Sequence, residues 1–76
     1  MAQHRLRQMG MKGDEVLAEW DTDTATPARI KEIEEEFNRK MKEGYFAADI
    51  TNDKNELIQK FDQEADILLM PKMQGG

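Results

Sequence analysis

The chain closes on Gly75-Gly76, and nothing follows them. Glycine has no side chain, so a tail ending in two of them fits, extended, into a narrow channel of a partner enzyme. The terminal carboxylate is then unhindered. One of its oxygens can attack the α-phosphorus of ATP, releasing pyrophosphate and leaving an acyl-adenylate. A thiol, a sulfide or a lysine amine can then attack the acyl carbon while AMP departs. Gly75 and Gly76 are therefore the candidates for activation and conjugation. Met70, Pro71, Lys72, Met73 and Gln74 lead into them and are the candidates for contact with a partner. The plain alternative is a frayed terminus that happens to hold two glycines.

The remaining residues offer little rival chemistry. There is one histidine, His4, and no cysteine. Neither a Ser-His-Asp nor a Cys-His arrangement is expected, nor a disulfide framework or a thiolate metal site. Without a thiol, any sulfur the chain carries would ride on the terminal carboxyl group. Carboxylates are plentiful, yet none stands in an apolar setting that would raise its pKa for acid–base work. Asp49, on an expected strand, reads as solvent-facing. No glycine-rich loop follows a strand to cradle phosphate. No catalytic residue, metal or cofactor is expected, and the chain does not read as an enzyme.

The stretch from Phe61 to Gly76, FDQEADILLMPKMQGG, runs acidic turn, apolar strand, proline, short spacer, Gly-Gly. In this it resembles the ends of the small Gly-Gly-terminated ubiquitin-like proteins of prokaryotes, among them the sulfur carriers of thiamine and molybdopterin synthesis. Outside that stretch the agreement is in length and order of elements. The resemblance implies a β-grasp fold. It also implies an ATP-dependent activating enzyme as partner, with a target lysine or a sulfur-accepting enzyme downstream. A deconjugating metallopeptidase of the JAB type completes the implied set. Met73 and Gln74 are bulkier than the small residues common at those places in the family.

Length and charge agree with that reading. Seventy-six residues make one small domain. The net charge is −5. Residues 1–12 hold Arg5, Arg7 and Lys12 and no acid, so the acidity belongs to the body of the chain. An acidic body argues against nucleic acid as the main partner, because phosphate contacts supply most of that affinity. No apolar run approaches the ~18 residues of a membrane span. The basic start has no apolar stretch behind it and is not a secretory signal. A cytoplasmic protein is expected.

The elements that must hold the tail can be read from periodicity. His4 to Met9 alternates weakly, with Leu6 its one strong inward candidate; residues 1–13 form a basic segment, either an edge strand or a flexible arm. Residues 14–71 form the ubiquitin-like domain and 72–76 the flexible tail. Val16, Ala18 and Trp20 fall on one face of a strand. Thr26 caps a helix with Pro27 at its first position, and Ile30, Ile33, Phe37 and Met41 make its apolar stripe. Glu36 and Lys40 can pair at i, i+4, and Gly44 ends the helix. Phe46, Ala48 and Ile50 alternate toward the helix in the next strand. Glu56 to Phe61 is a short strand or a helical turn. Ile67 to Met70, apolar on both faces, reads as an interior strand. The predicted class is α+β, a β-grasp-like mixed sheet with one amphipathic helix packed on one face.

The expected function is that of a ubiquitin-like modifier or sulfur carrier. The alternative is a non-catalytic interaction or assembly module whose tail does no chemistry.

Overall fold

A computed structural model describes residues 3–71. Five strands and one long helix make a two-layer α+β domain. The elements are β1 (Gln3–Gly10), β2 (Gly13–Asp21), α1 (Pro27–Lys42), β3 (Phe46–Asp49), β4 (Glu56–Ile58) and β5 (Ile67–Met70), with a short 3₁₀ turn over Thr51–Asp53. The sheet order is β2-β1-β5-β3-β4. β5 pairs parallel with β1 and antiparallel with β3, so the sheet is mixed.

The helix follows its sequence signals closely. The Thr26 hydroxyl accepts from the Arg29 amide at 3.1 Å, and Pro27 fills the first turn. Either satisfies or removes a donor that the helix itself cannot pair. At the other end Glu43 is the cap, and Gly44 takes φ 102°, a value that favours glycine. Ile33 and Phe37 are buried; Ile30 and Met41 pack against the core at its margins. Glu36 does not pair with Lys40. It meets Arg39 one turn along, while Lys40 lies over the Tyr45 ring, 5.2 Å from its centroid. A neighbouring aromatic face thus competes with the expected carboxylate for the lysine.

The N-terminal segment is neither an edge strand nor an arm. β1 lies inside the sheet, hydrogen-bonded to β2 on one side and β5 on the other. Leu6 is fully buried, as its pattern suggested. Met11-Lys12 turns the β1–β2 hairpin between the paired Gly10 and Gly13, and Gly13 sits at φ 115°. The tight turn delivers a basic strand directly onto an acidic one. Arg5 reaches Glu19 at 3.4 Å and Arg7 approaches Asp14 at 3.8 Å.

Two strands face differently from expectation. In β2 the register shifts between Leu6 and Arg7, whose partners are Ala18 and Val16. Leu17 is therefore an extra residue, a β-bulge, and it reverses the alternation. Ala18 and Trp20 face the helix and are buried, while Val16 turns to the other side and is 46% exposed. In β3 the phase is inverted. Ala47 joins the core beneath the helix, and Phe46 is 49% exposed on the far face. Tyr45 and Phe46 are adjacent, so both cannot point inward from one strand, and Tyr45 takes the core side. Glu56 to Ile58 is a strand, with Ile58 against the core and Leu57 outward.

The core is assembled from Leu6, Ala18, Trp20, Ile33, Phe37, Ala47, Ala65, Ile67 and Leu69. Aromatic rings run through it in series. Phe37 lies 5.8 Å from Phe61, Phe61 lies 5.6 Å from Trp20, and Trp20 lies 6.0 Å from His4. The tilted geometries are those that aromatic quadrupoles favour. The Trp20 indole also donates to the Gln63 carbonyl at 2.9 Å, which pins the acidic β4–β5 loop beneath the sheet.

Candidate functional site

The candidate site begins where β5 ends. β5 occupies the middle of the sheet and runs parallel to β1, so Met70 and Pro71 emerge at the end of the sheet that also carries the β1–β2 hairpin tip. β3 starts there as well, with Phe46 opposite Met70. Met70 is half-buried and Pro71 exposed. Of the residues expected to act, these two are placed. Lys72, Met73, Gln74, Gly75 and Gly76 lie outside the described residues.

Beside this exit the sheet presents an apolar face. The register sets Val16, Arg7, Leu68, Ala48 and Leu57 in one row across all five strands, on the side away from the helix. Phe46, Met70 and Met9 extend it toward the exit. The large apolar side chains that stand out in solvent are Met9, Met11, Val16, Phe46 and Leu57, the last 72% exposed. Four of the five belong to this face, and Met11 is at the hairpin tip that borders it. A small domain rarely leaves its apolar side chains so segregated without a surface to cover them. Phe46, Leu57, Met70 and Pro71 also line one concavity of about 280 Å³. Sequence reading placed Phe46 and Val16 inward and so missed this face. The signal for half of it was present, because Tyr45-Phe46 and Leu57-Ile58 are adjacent apolar pairs in short strands, where one of each must point out.

The opposite end of the sheet is polar and closely tied. The His4 imidazole meets the Asp66 carboxylate at 3.1 Å, and the same oxygen accepts from the Arg5 amide at 3.2 Å. The Asp66 amide donates to the Thr51 hydroxyl at 2.9 Å. That hydroxyl donates in turn to Asp49 at 2.6 Å, and the Thr51 amide donates to the same carboxylate oxygen at 2.9 Å. This network joins the start of β1, the end of β3 and the start of β5. Asn52 and Asp53, at φ 52° and 64°, make the left-handed turn that returns Thr51 toward Asp49. Asp49 is therefore not solvent-facing but buried, at 8% exposure. Its pKa is held below the ordinary aspartate value by the Thr51 hydroxyl and amide, with a further contribution from Lys54. A carboxylate stabilised in its charged form is a poor proton donor or acceptor near neutral pH. The network reads as a tie between strands.

A depressed folded-state pKa contributes stability above the unfolded value, about 3.9 for aspartate. That contribution is lost as pH falls through the lower, folded-state value. Asp49→Asn is therefore expected to destabilise the domain most at neutral pH, with the gap to the parent narrowing below about pH 4. Urea midpoints of both proteins across that range check it. A gap that stays constant with pH would remove Asp49 from the acid response.

Among the described residues no group of three histidines or carboxylates is placed to hold a metal ion. No helix among them is long and apolar enough to cross a membrane. Neither a family model, nor a curated protein, nor a solved structure matches the chain.

Proposed function

We propose that the chain is a ubiquitin-like modifier or sulfur carrier whose C-terminal glycine carboxylate is activated by adenylation on a separate enzyme. The observation that carries this reading is the placement of β5. The last strand runs through the middle of the sheet and releases the chain at Pro71, beside the apolar face. A partner that covers Phe46, Leu57 and Met70 has the start of the tail at its border. The strand order and the helix across one face agree with the β-grasp arrangement that the Phe61–Gly76 resemblance implies.

In this reading the domain is an address and a handle. The apolar face docks on the activating enzyme, with the aromatic Phe46 as an anchor of the kind that dominates interface energies. Met9 and Met70 supply adaptable contact. The tail from Lys72 to Gly76 threads toward ATP, and Pro71 ends sheet pairing because it has no N–H to donate. The Gly76 carboxylate attacks the α-phosphorus and pyrophosphate leaves. Sulfide then displaces AMP to give a thiocarboxylate, an enzyme thiol displaces it to give a thioester, or a target lysine finishes with an isopeptide bond. A metallopeptidase that hydrolyses that bond would return the carrier.

The second reading is an interaction or assembly module that uses the same apolar face and no tail chemistry. Incubation of the full chain with lysate of its host, ATP and Mg²⁺, followed by intact-mass measurement, separates the two. The carrier reading expects an ATP-dependent exchange of oxygen for sulfur at the C-terminus, or the whole chain joined to a larger protein through Gly76. Recovery of the unmodified mass, together with a stable noncovalent partner that needs no ATP, would favour the module.

A further inference from the structure

β2 is one edge of the sheet, with β1 on its inner side and no strand on its outer side among the described residues. It is nine residues long, against three for β4 at the other edge. An open edge offers unpaired backbone N–H and C=O groups to any extended chain that arrives. Proteins commonly close such an edge with lysine, proline or a very short strand. β2 has none of these; it has the Leu17 bulge and three carboxylates along its open length, Asp14, Glu15 and Glu19. Only beyond them does the Asp21 carbonyl find other partners, accepting from the Thr24 and Ala25 amides at 3.1 and 2.8 Å.

We propose that the outer edge of β2 is a docking site for an extended basic segment of a partner protein, which adds to the sheet as a sixth strand. Charge decides the occupant. A second copy pairing through β2 would bring acid against acid, which repels across strands. A basic strand reverses the sign, and the molecule already contains one such pairing. On the inner side β2 is matched to β1, whose Arg5 and Arg7 reach Glu19 and Asp14 at 3.4 and 3.8 Å. The bulge refines the pattern. Along the face away from the helix the outward residues of β2 are Asp14, Val16 and Glu19, because Leu17 is the extra residue. The complement is a strand with a cation, an apolar residue and a cation at alternate positions, the apolar one seated on the half-exposed Val16. Main-chain pairing would supply affinity and the alternate side chains specificity. The site is separate from Phe46 and Leu57 on the far strands and stands whether or not the tail is activated.

The test uses the isotope-labelled full chain and a synthetic peptide with lysine, valine and arginine at alternate positions and threonines between. Binding is expected to shift and slow the exchange of amides along Gly13–Trp20. Affinity should fall at least about tenfold when both peptide cations are replaced by glutamate, and again when salt rises from about 0.02 to about 0.3 M. The double variant Asp14→Lys/Glu19→Lys should lose binding to the same extent, and Val16→Lys, at a single exposed position, should weaken it without touching either ion pair. Unchanged resonances of Leu69 and Phe37 show that each variant is folded. Shifts centred on Phe46 and Leu57, equal binding of the glutamate peptide, or β2 shifts that grow with protein concentration in the absence of peptide would each overturn the proposal.

Discussion

Phe37→Ala is expected to remove about 3–5 kcal/mol of stability, the range for a fully buried aromatic cut back to a methyl. The side chain is completely buried in the face of α1 that meets the sheet, and its ring abuts Phe61. Phe61 is in turn the only ring that links the helix to Trp20. The cavity would therefore open at the junction of helix, sheet and β4–β5 loop, where little can collapse to fill it. At about 0.05–0.15 kcal/mol per residue, a domain of this size holds roughly 4–11 kcal/mol in all. The variant should be close to unfolding at room temperature. With a urea dependence of about 1 kcal/mol per molar for a small domain, its midpoint should drop by about 3 M or more. Glu35→Ala, on the exposed side of the same helix, should stay within about 0.5 kcal/mol of the parent. Equal midpoints for Phe37→Ala and the parent would place the core on another face of the helix.

That helix is also the part of the fold most legible from residues alone. Its cap, its first proline, its stripe and its terminal glycine are local signals, and each acts within one turn of where it is written. The interior character of β5 was equally plain, since Ile67 to Met70 is apolar on both faces and both faces are in fact covered to some degree. What stayed hidden depends on partners far off in sequence. β1 looks weak because a strand flanked on both sides needs few apolar residues of its own when its arginines pair with the next strand. The direction of Val16 depends on the Leu17 bulge, which only the register with β1 defines. Phe46 points outward because Tyr45 has already taken the inward place after Gly44. Asp49 looked like a surface residue, since its burial is bought by Thr51 and a left-handed turn that periodicity does not announce. Of the candidate site, the tail chemistry was legible and the apolar face beside it was not.

The second large effect is expected at the tail itself. Deletion of Gly76, or addition of one residue after it, should abolish activation while leaving the fold intact, since the packed core ends at Leu69. Distance is the reason. Each residue carries the carboxylate about 3.3 Å along an extended chain. In-line attack on phosphorus loses about a hundredfold in rate for a misplacement of about 1 Å. Neither a shortened nor a lengthened tail can keep its carboxylate at the α-phosphate while the domain stays docked through Phe46, Leu57 and Met70. Gly76→Val should fail for a different cause, because a branched side chain blocks a channel shaped for bare backbone. Thermal unfolding of the three proteins should coincide, which separates loss of chemistry from loss of structure.

ATP–pyrophosphate exchange on the activating enzyme of the same host reports formation of the acyl-adenylate and nothing downstream of it. With the intact chain, exchange should rise with carrier concentration and saturate. With the Gly76 deletion and with Gly76→Val it should fall to the level seen without carrier. Equal exchange with all three proteins would contradict the account and leave the tail without chemistry.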